Sequence, residues 1–370
     1  MKSFAIYYKK QDSISDEQCA AGELHVNIWK VNQGHLKLRP IFYLDLGIKL
    51  SFKCNKIRIF VPFVTKKEKF KDLCKTIMEQ RELMCAIFND EMLPTPQNNT
   101  CFCQVKSQTS DLEFFLYQLA SDNIEFEEYK ENEEQIGTYI TITIKGSPNN
   151  DTFDAPQEKQ LYIRMRLFVE NNSKFVITEH VSNDLLQAAF SQTDLFDLRF
   201  NEKREIDGKV LEKMKTEKFE PMQFNKIHVF YIADTRENVE NGSSLKIDSR
   251  LLEKEHWLNY EPENKLHNTN YVAHHWRKKE SKSFSDASVF FITKYPNIDI
   301  WRLMSYFSVI IILGWMGSML SFTINDIKFD VNNWSTWIRP TLVGLLILFI
   351  VGLVIKNNFG IKSIQIFRKR

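Results

Sequence analysis

The sequence predicts an α+β protein: a β-rich cytosolic domain followed by a C-terminal two-helix transmembrane hairpin. Three observations carry this reading. Two uncharged apolar runs close the chain, LMSYFSVIIILGWMGSMLSFTIN from Leu303 to Asn325 and PTLVGLLILFIVGLVI from Pro340 to Ile355. Before residue 300, apolar residues mostly alternate with polar ones at period two, the strand signal. Lys and Arg gather outside the pair of runs rather than between them.

Strands are expected at 4–8, 23–31 and 36–44. GIKLSFKC then places Ile48, Leu50, Phe52 and Cys54 on one face, and IRIFVPFV follows at 57–64, so Leu46 to Val64 reads as a hairpin ending near Pro62. Thr65-Lys66-Lys67-Glu68 is a capping box. It opens a helix whose stripe is Phe70, Leu73, Ile77, Met84, Ile87 and Phe88, running to Asn89 before Pro94 and Pro96. After a strand at 101–105, Ser110-Asp111-Leu112-Glu113 offers a second capping box for a short helix, DLEFFLYQLA. The acidic run EFEEYKENEE at 125–134 reads as a solvated loop or helix face. TYITITIK at 138–145 sets Ile140, Ile142 and Ile144 against threonines, and LYIRMRLFV at 161–169 sets five apolar residues against Arg164 and Arg166. KFVITEHV, KIHVFYIAD, NYVAHHW and ASVFFITK supply further strands, with short helices at 183–190 and 248–258. The domain spans 1–300, with 1–120 and 135–300 as candidate subdomains.

The closing segments divide into transmembrane helix 1 (301–325), an external loop (326–338), transmembrane helix 2 (339–356) and a basic cytosolic tail (357–370). At about 1.5 Å per residue the uncharged runs reach roughly 35 and 24 Å, against a bilayer core of about 30 Å. Trp301, Arg302, Trp334, Trp337, Arg339 and Lys356 are placed as interfacial anchors. The tail holds Lys362, Arg368, Lys369 and Arg370 and no acid. Arg277, Lys278, Lys279, Lys282 and Lys294 precede the first run. Both ends of the hairpin are therefore expected inside, making this a two-span inner-membrane protein with cytoplasmic termini. Neither run holds an Asp, Glu, His, Lys or Arg, which argues against a transporter. Gly314 and Ser318 lie four apart, and Gly344 and Gly352 share a side of the second run, so these small residues are candidates for close helix packing and homo-oligomer formation.

The chain is nominally +2. From residue 301 onward there are eight Lys/Arg against two Asp, so the part before it carries about −4. Direct nucleic-acid binding is not expected of such a domain. Cys19, Cys54, Cys74, Cys85, Cys101 and Cys103 are expected as thiols in the cytosol. Cys101 and Cys103 would share a strand face, yet lack the second ligand pair of a zinc site. No phosphate loop, dinucleotide fingerprint, nucleophile elbow or H-E-x-x-H occurs, so neither catalysis nor a cofactor is expected. Three weaker signals remain. His274-His275, with His267 nearby, would point to opposite faces of a strand. Asp194, Asp197, Asp207 and Lys209 loosely match a metal nuclease's acid, acid-x-Lys pattern. Arg277 to Lys282 is a solvated loop or a headgroup contact at about 1 kcal/mol per basic residue.

A β-rich, non-secreted domain joined to uncharged runs at 303–325 and 340–355 resembles the membrane effectors of bacterial phage-defence systems, the retron-associated effector with two transmembrane helices among them. The resemblance is one of layout, and no family functional residue maps to a numbered position. It implies a cytosolic domain restrained by a protein or ribonucleoprotein partner and a hairpin that disrupts the inner membrane on release. A membrane-tethered scaffold or adaptor, and a membrane-bound hydrolase or nuclease, are the other functions compatible with the sequence.

Overall fold

The computed structural model describes residues 2–10, 21–31, 40–51, 54–96, 101–144, 160–169, 176–179, 191–262, 270–296 and 300–325. The chain divides into two compact units, residues 1–179 with 194–294, and residues 180–193 with 295–370.

The first unit is β-rich and carries three sheets. A five-stranded antiparallel sheet runs in the order β14 (Glu220–Pro221), β1 (Ala5–Lys10), β4 (Cys54–Val61), β10 (Glu134–Thr143), β9 (Ile124–Glu131). A ten-stranded mixed sheet runs β17 (Ile247–Leu251), β18 (Tyr271–Phe284), β15 (Gln223–Asp234), β2 (Ala21–Val31), β3 (Ile41–Leu50), β11 (Gln160–Phe168), β8 (Glu113–Tyr117), β7 (Phe102–Ser107), β6 (Met92–Pro96). Its tenth strand, β5 (Lys71–Asp72), pairs with β11. A four-stranded sheet runs β12 (Ile177–Glu179), β13 (Ser191–Phe200), β19 (Ala287–Pro296), β16 (Asn238–Asn241). The parallel pairing of β2 with β15 puts strands from 1–120 and from 135–300 in one sheet.

Period-two alternation decides which face each strand buries. Leu24, Val26 and Ile28 of β2 join Leu44, Leu46 and Ile48 of β3, Ile163 and Met165 of β11 and Val229 of β15 in the main core. Ile57 and Ile59 of β4 and Phe196 and Phe291 of the small sheet meet them there. A slip of one residue would turn Arg164 and Arg166 into that core. The reverse face of the ten-stranded sheet carries a second core beneath α1 (Cys74–Glu79), α2 (Arg81–Phe88) and the single turn later labelled α4 (Lys254–Trp257). A third cluster lies under α3 (Gly208–Thr216), which buries Val210 and Met214 one turn apart. Asp207 caps α3, accepting from Lys209 N at 3.0 Å.

Several sequence expectations are corrected. Leu46 to Val64 is not a hairpin, because β3 and β4 belong to different sheets and the chain crosses between them. Thr65 does not cap a long helix. Its N–H donates to Thr138 Oγ1 at 3.2 Å, a single 3-10 turn follows at Lys67–Lys69, and Lys71–Asp72 pair with β11, so α-helix starts only at Cys74. There the Asp72 carboxylate accepts from Cys74 N and Lys75 N. DLEFFLYQLA is strand β8, with Phe115 and Tyr117 in the main core and Phe114 and Leu116 in the second. Burial on both faces erases the alternation that separates strand from helix. The acidic run is largely strand β9, laid along β10. Arg277 to Lys282 lie within β18 rather than in a loop. The segment 248–258 is β17 and then α4. The helix expected at 183–190 falls outside the described residues.

In the second unit, α5 (Ile300–Asn325) is a continuous 26-residue helix. Within it, side chains are described for residues 304 and 306–318. Among the fully described residues, no helix is long and apolar enough to cross a membrane. The rest of the uncharged run 303–325 is described as helical backbone. The second apolar run, 340–355, lies outside the described residues.

Candidate functional site

The sequence-based candidates do not converge. Asp194 is buried and accepts from Lys30 Nζ at 3.1 Å, Asp197 bonds Arg199 at 2.9 Å, and Asp207 is a helix cap. The three acids therefore serve separate structural contacts. Cys103 joins the second core while Cys101 packs against the main one, so the two thiols do not share a face. Cys54, Cys74, Cys85, Cys101 and Cys103 are all thiols. Among the described residues no three His, Cys, Asp or Glu side chains are arranged to hold a metal ion. Gly314 and Ser318 lie on an exposed part of α5, with nothing within 4 Å of where a Cβ on Gly314 would stand. The side chains of Trp301 and Arg302, and all of Gly344, Gly352, Trp334, Trp337, Arg339, Lys356 and His267, lie outside the description.

The structure instead assembles a cleft of about 450 Å³ on the reverse face of the ten-stranded sheet. Its floor comes from alternate positions on neighbouring strands: Glu23, His25 and Asn27 of β2, Lys49 of β3, Arg164 of β11, Lys226, His228 and Phe230 of β15. Arg277 and His275 of β18 and Asp248 and Arg250 of β17 extend it to one side. Residues 86–89 at the end of α2 and Trp257 of α4 form the opposite wall.

Two buried guanidiniums underlie this floor. Arg166 makes a two-pronged contact with Asp45, Nε to Oδ1 at 2.6 Å and Nη2 to Oδ2 at 2.8 Å. Asp45 also accepts from Trp29 Nε1 at 2.8 Å. Arg164 has no carboxylate within ion-pair distance among the described residues. It donates to the hydroxyls of Tyr260 (2.6 Å) and Tyr162 (2.7 Å). Tyr162, Tyr260 and then Asp45 favour its charged form despite burial.

The hydrogen bonds assign a tautomer. A guanidinium only donates, so Tyr162 Oη accepts from Arg164 and its own O–H is left to donate to His25 Nδ1 at 3.3 Å. The neutral His25 then carries its proton on Nε2, whose nearest acid, Glu23, stands 3.6 Å away. Gly47 makes this packing possible: a Cβ there would overlap the Tyr162 hydroxyl and stand 3.2 Å from His25 Cβ.

His228 Nδ1 and His275 Nε2 are 2.8 Å apart, one donating and one accepting. Burial, then the neighbouring His25, Lys226 and His275, push His228 down to about 2. Burial and Arg277 push His275 down to about 4. Burial likewise lowers His25. Burial alone would raise Glu23, but His25, Lys49 and Lys226 outweigh it and hold the carboxyl at about 2. The histidines are thus neutral near pH 7, and the charged groups are Lys49, Arg164, Lys226, Arg250 and Arg277 against Glu23 and Asp248.

Sequence reading singled out His275, named Arg277 within a basic run and noted Arg164, but missed Glu23, His25, Lys226 and His228. The signal was faint yet present: Glu23, His25 and Asn27 at every second position of β2, with Lys226 and His228 of β15, mark a face that is neither plain core nor plain surface. As expected, His274 and His275 diverge, His274 toward Ser249 at 2.8 Å and His275 toward His228. In comparison with known proteins, no family model and no curated sequence matches this chain.

Proposed function

We propose that the protein is an integral inner-membrane effector, in which recognition by the β-rich cytosolic unit controls disruption of the bilayer by a C-terminal two-helix hairpin, as in phage defence. The observation that supports this reading is α5. It begins four residues after β19 ends at Pro296, is uncharged from Leu303, and at 26 residues rises about 39 Å. Exposed Met304, Phe307, Ile310, Ile311, Leu313 and Met316 together cover about two thirds of its circumference at roughly 100° per residue, a distribution suited to lipid rather than to one apolar stripe on a soluble core. The short joint lets movement of the β-rich unit reach the helix. Its partners on this reading are the bilayer, a restraining cytosolic protein or ribonucleoprotein, and further copies of the chain meeting at Gly314 and Ser318.

Reporter fusions in the exposed turn at Asn132-Glu133 and after Arg370 should read cytoplasmic, and one in the Asp326–Asp330 loop external. A cytoplasmic loop reporter rejects the hairpin. Overexpressed wild type without its restraining partner should depolarise the inner membrane. Gly314→Leu with Ser318→Leu should insert equally and depolarise far less, because helices in lipid associate by close approach over small residues. No depolarisation by either protein would favour a scaffold. The histidine-lined cleft favours one second reading, a membrane-tethered hydrolase, whose activity would survive replacement of both spans by an unrelated hairpin.

A further inference from the structure

We propose that the cleft on the reverse face of the ten-stranded sheet binds a phosphorylated small molecule carrying a planar ring, a ligand of the nucleotide class. The inference concerns the β-rich unit alone and stands whether or not the hairpin acts on a membrane.

The first ground is charge. Asp45 is committed to Arg166, which leaves Arg164, about 2% exposed, as a buried positive charge whose hydrogen bonds among the described residues go to neutral hydroxyls. A buried charge without a counter-ion costs several kcal/mol. A phosphate oxygen supplies the missing charge, and the guanidinium fork suits it geometrically. Toward the mouth, Arg250 and Arg277 are exposed and Lys226 half-buried, with Glu23 3.9 Å from Lys226. Several cations around one opening fit a multiply charged anion better than a single carboxylate.

The second ground is unsatisfied polarity. Asn27 Oδ1, Trp257 Nε1 and His25 Nε2 are buried and have no hydrogen-bond partner, and all three residues line the cleft. Asn27 and Trp257 are each 4% exposed. Buried polar atoms normally have partners. An acceptor and two donors left open in one cavity define a polar ligand edge.

The third ground is shape. Phe230 and His275 stack at 4.2 Å with planes 3° apart, and His228 lies 8° from both. These parallel rings on adjacent strands offer a planar group a platform, opposite Phe88 and Trp257. The volume falls within the roughly 300–1,000 Å³ of small-molecule sites.

The test is calorimetric titration of the full chain in detergent with ATP, GTP, CTP, UTP and AMP, and with inorganic phosphate, adenosine and citrate as partial mimics. At least one nucleotide should bind at least about tenfold more tightly than all three mimics, a difference of about 1.4 kcal/mol. Arg250→Glu with Arg277→Glu changes only exposed side chains, and Phe230→Ala removes the platform. Each should weaken binding about tenfold or more while the thermal transition is retained. The proposal is overturned if no nucleotide binds below about 1 mM (−4.1 kcal/mol), if citrate or phosphate binds as tightly as every nucleotide, or if both folded variants keep wild-type affinity.

Discussion

Asp45→Asn is the sharpest probe of the buried polar layer. In the wild type one carboxylate, fully buried, meets both prongs of Arg166 and the Trp29 indole, and its field reaches Arg164. The variant keeps the volume and removes the carboxylate that pairs with Arg166. Breaking a buried ion pair from one side costs about 3–5 kcal/mol, because the surviving charge stays buried. For a unit of this size each kcal/mol shifts the midpoint by about 2–4 °C, so a drop of roughly 6–20 °C is expected. Thermal unfolding of the full chain in detergent, followed by tryptophan fluorescence, measures it, since Trp29, Trp257 and Trp276 are all buried in the β-rich unit. Asp45→Leu combined with Arg166→Met removes both charges and should recover a large part of the loss. A drop below about 3 °C for Asp45→Asn would refute the reasoning, for it would mean the pair contributes no more than a surface salt bridge. So would a double variant less stable than the single one.

Three further outcomes follow from particular contacts. Gly47→Ala places a methyl against the Tyr162 hydroxyl; overpacking of about 1–3 kcal/mol should appear as a lower unfolding midpoint, relieved by adding Tyr162→Phe. Asn201, at φ 55°, accepts from Ile6 N at 2.7 Å and donates to Met222 O at 3.0 Å; Asn201→Ala should lose about 2–4 kcal/mol in chemical denaturation, and Asn201→Asp should be no milder, because a carboxylate oxygen would replace the donor that faces the Ile6 and Met222 carbonyls. The third is pH dependence. His228 and His275 sit at about 2 and about 4 in the fold, against about 6.5 unfolded. The unfolded chain therefore binds protons that the folded one refuses. Stability is intact above pH 6.5 and falls as pH drops below it, by no more than about 1.4 kcal/mol per unit for each imidazole. Unfolding at pH 7.5, 6.0 and 5.0 should show a shallower slope for His228→Phe than for wild type, and equal slopes would contradict the assignment.

The sequence by itself determined the β-rich character of the first 300 residues and the placement of most strands. At β2, β3, β11 and β15, alternation is a local property: each strand buries one face, and a one-residue slip would exchange Ile163 and Met165 for Arg164 and Arg166. The uncharged run from Leu303 was equally legible, as was the divergence of His274 from His275. Where both faces of a strand are buried, as in β8, period two vanishes, and the capping signal at Ser110 pointed to helix instead. Thr65 misled for a related reason, since its backbone is held by Thr138 of β10, a partner more than seventy residues away. The cleft needed tertiary structure altogether. His228 and His275 are 47 residues apart and Arg164 and Tyr260 are 96 apart. Only the parallel pairing of β2 with β15, a register no local pattern encodes, sets His25 against His228. Charge, orphaned hydrogen-bond groups and stacked rings become one site when sheet order brings those strands together, because sheet order depends on long-range contacts between whole strands rather than on any segment's own periodicity.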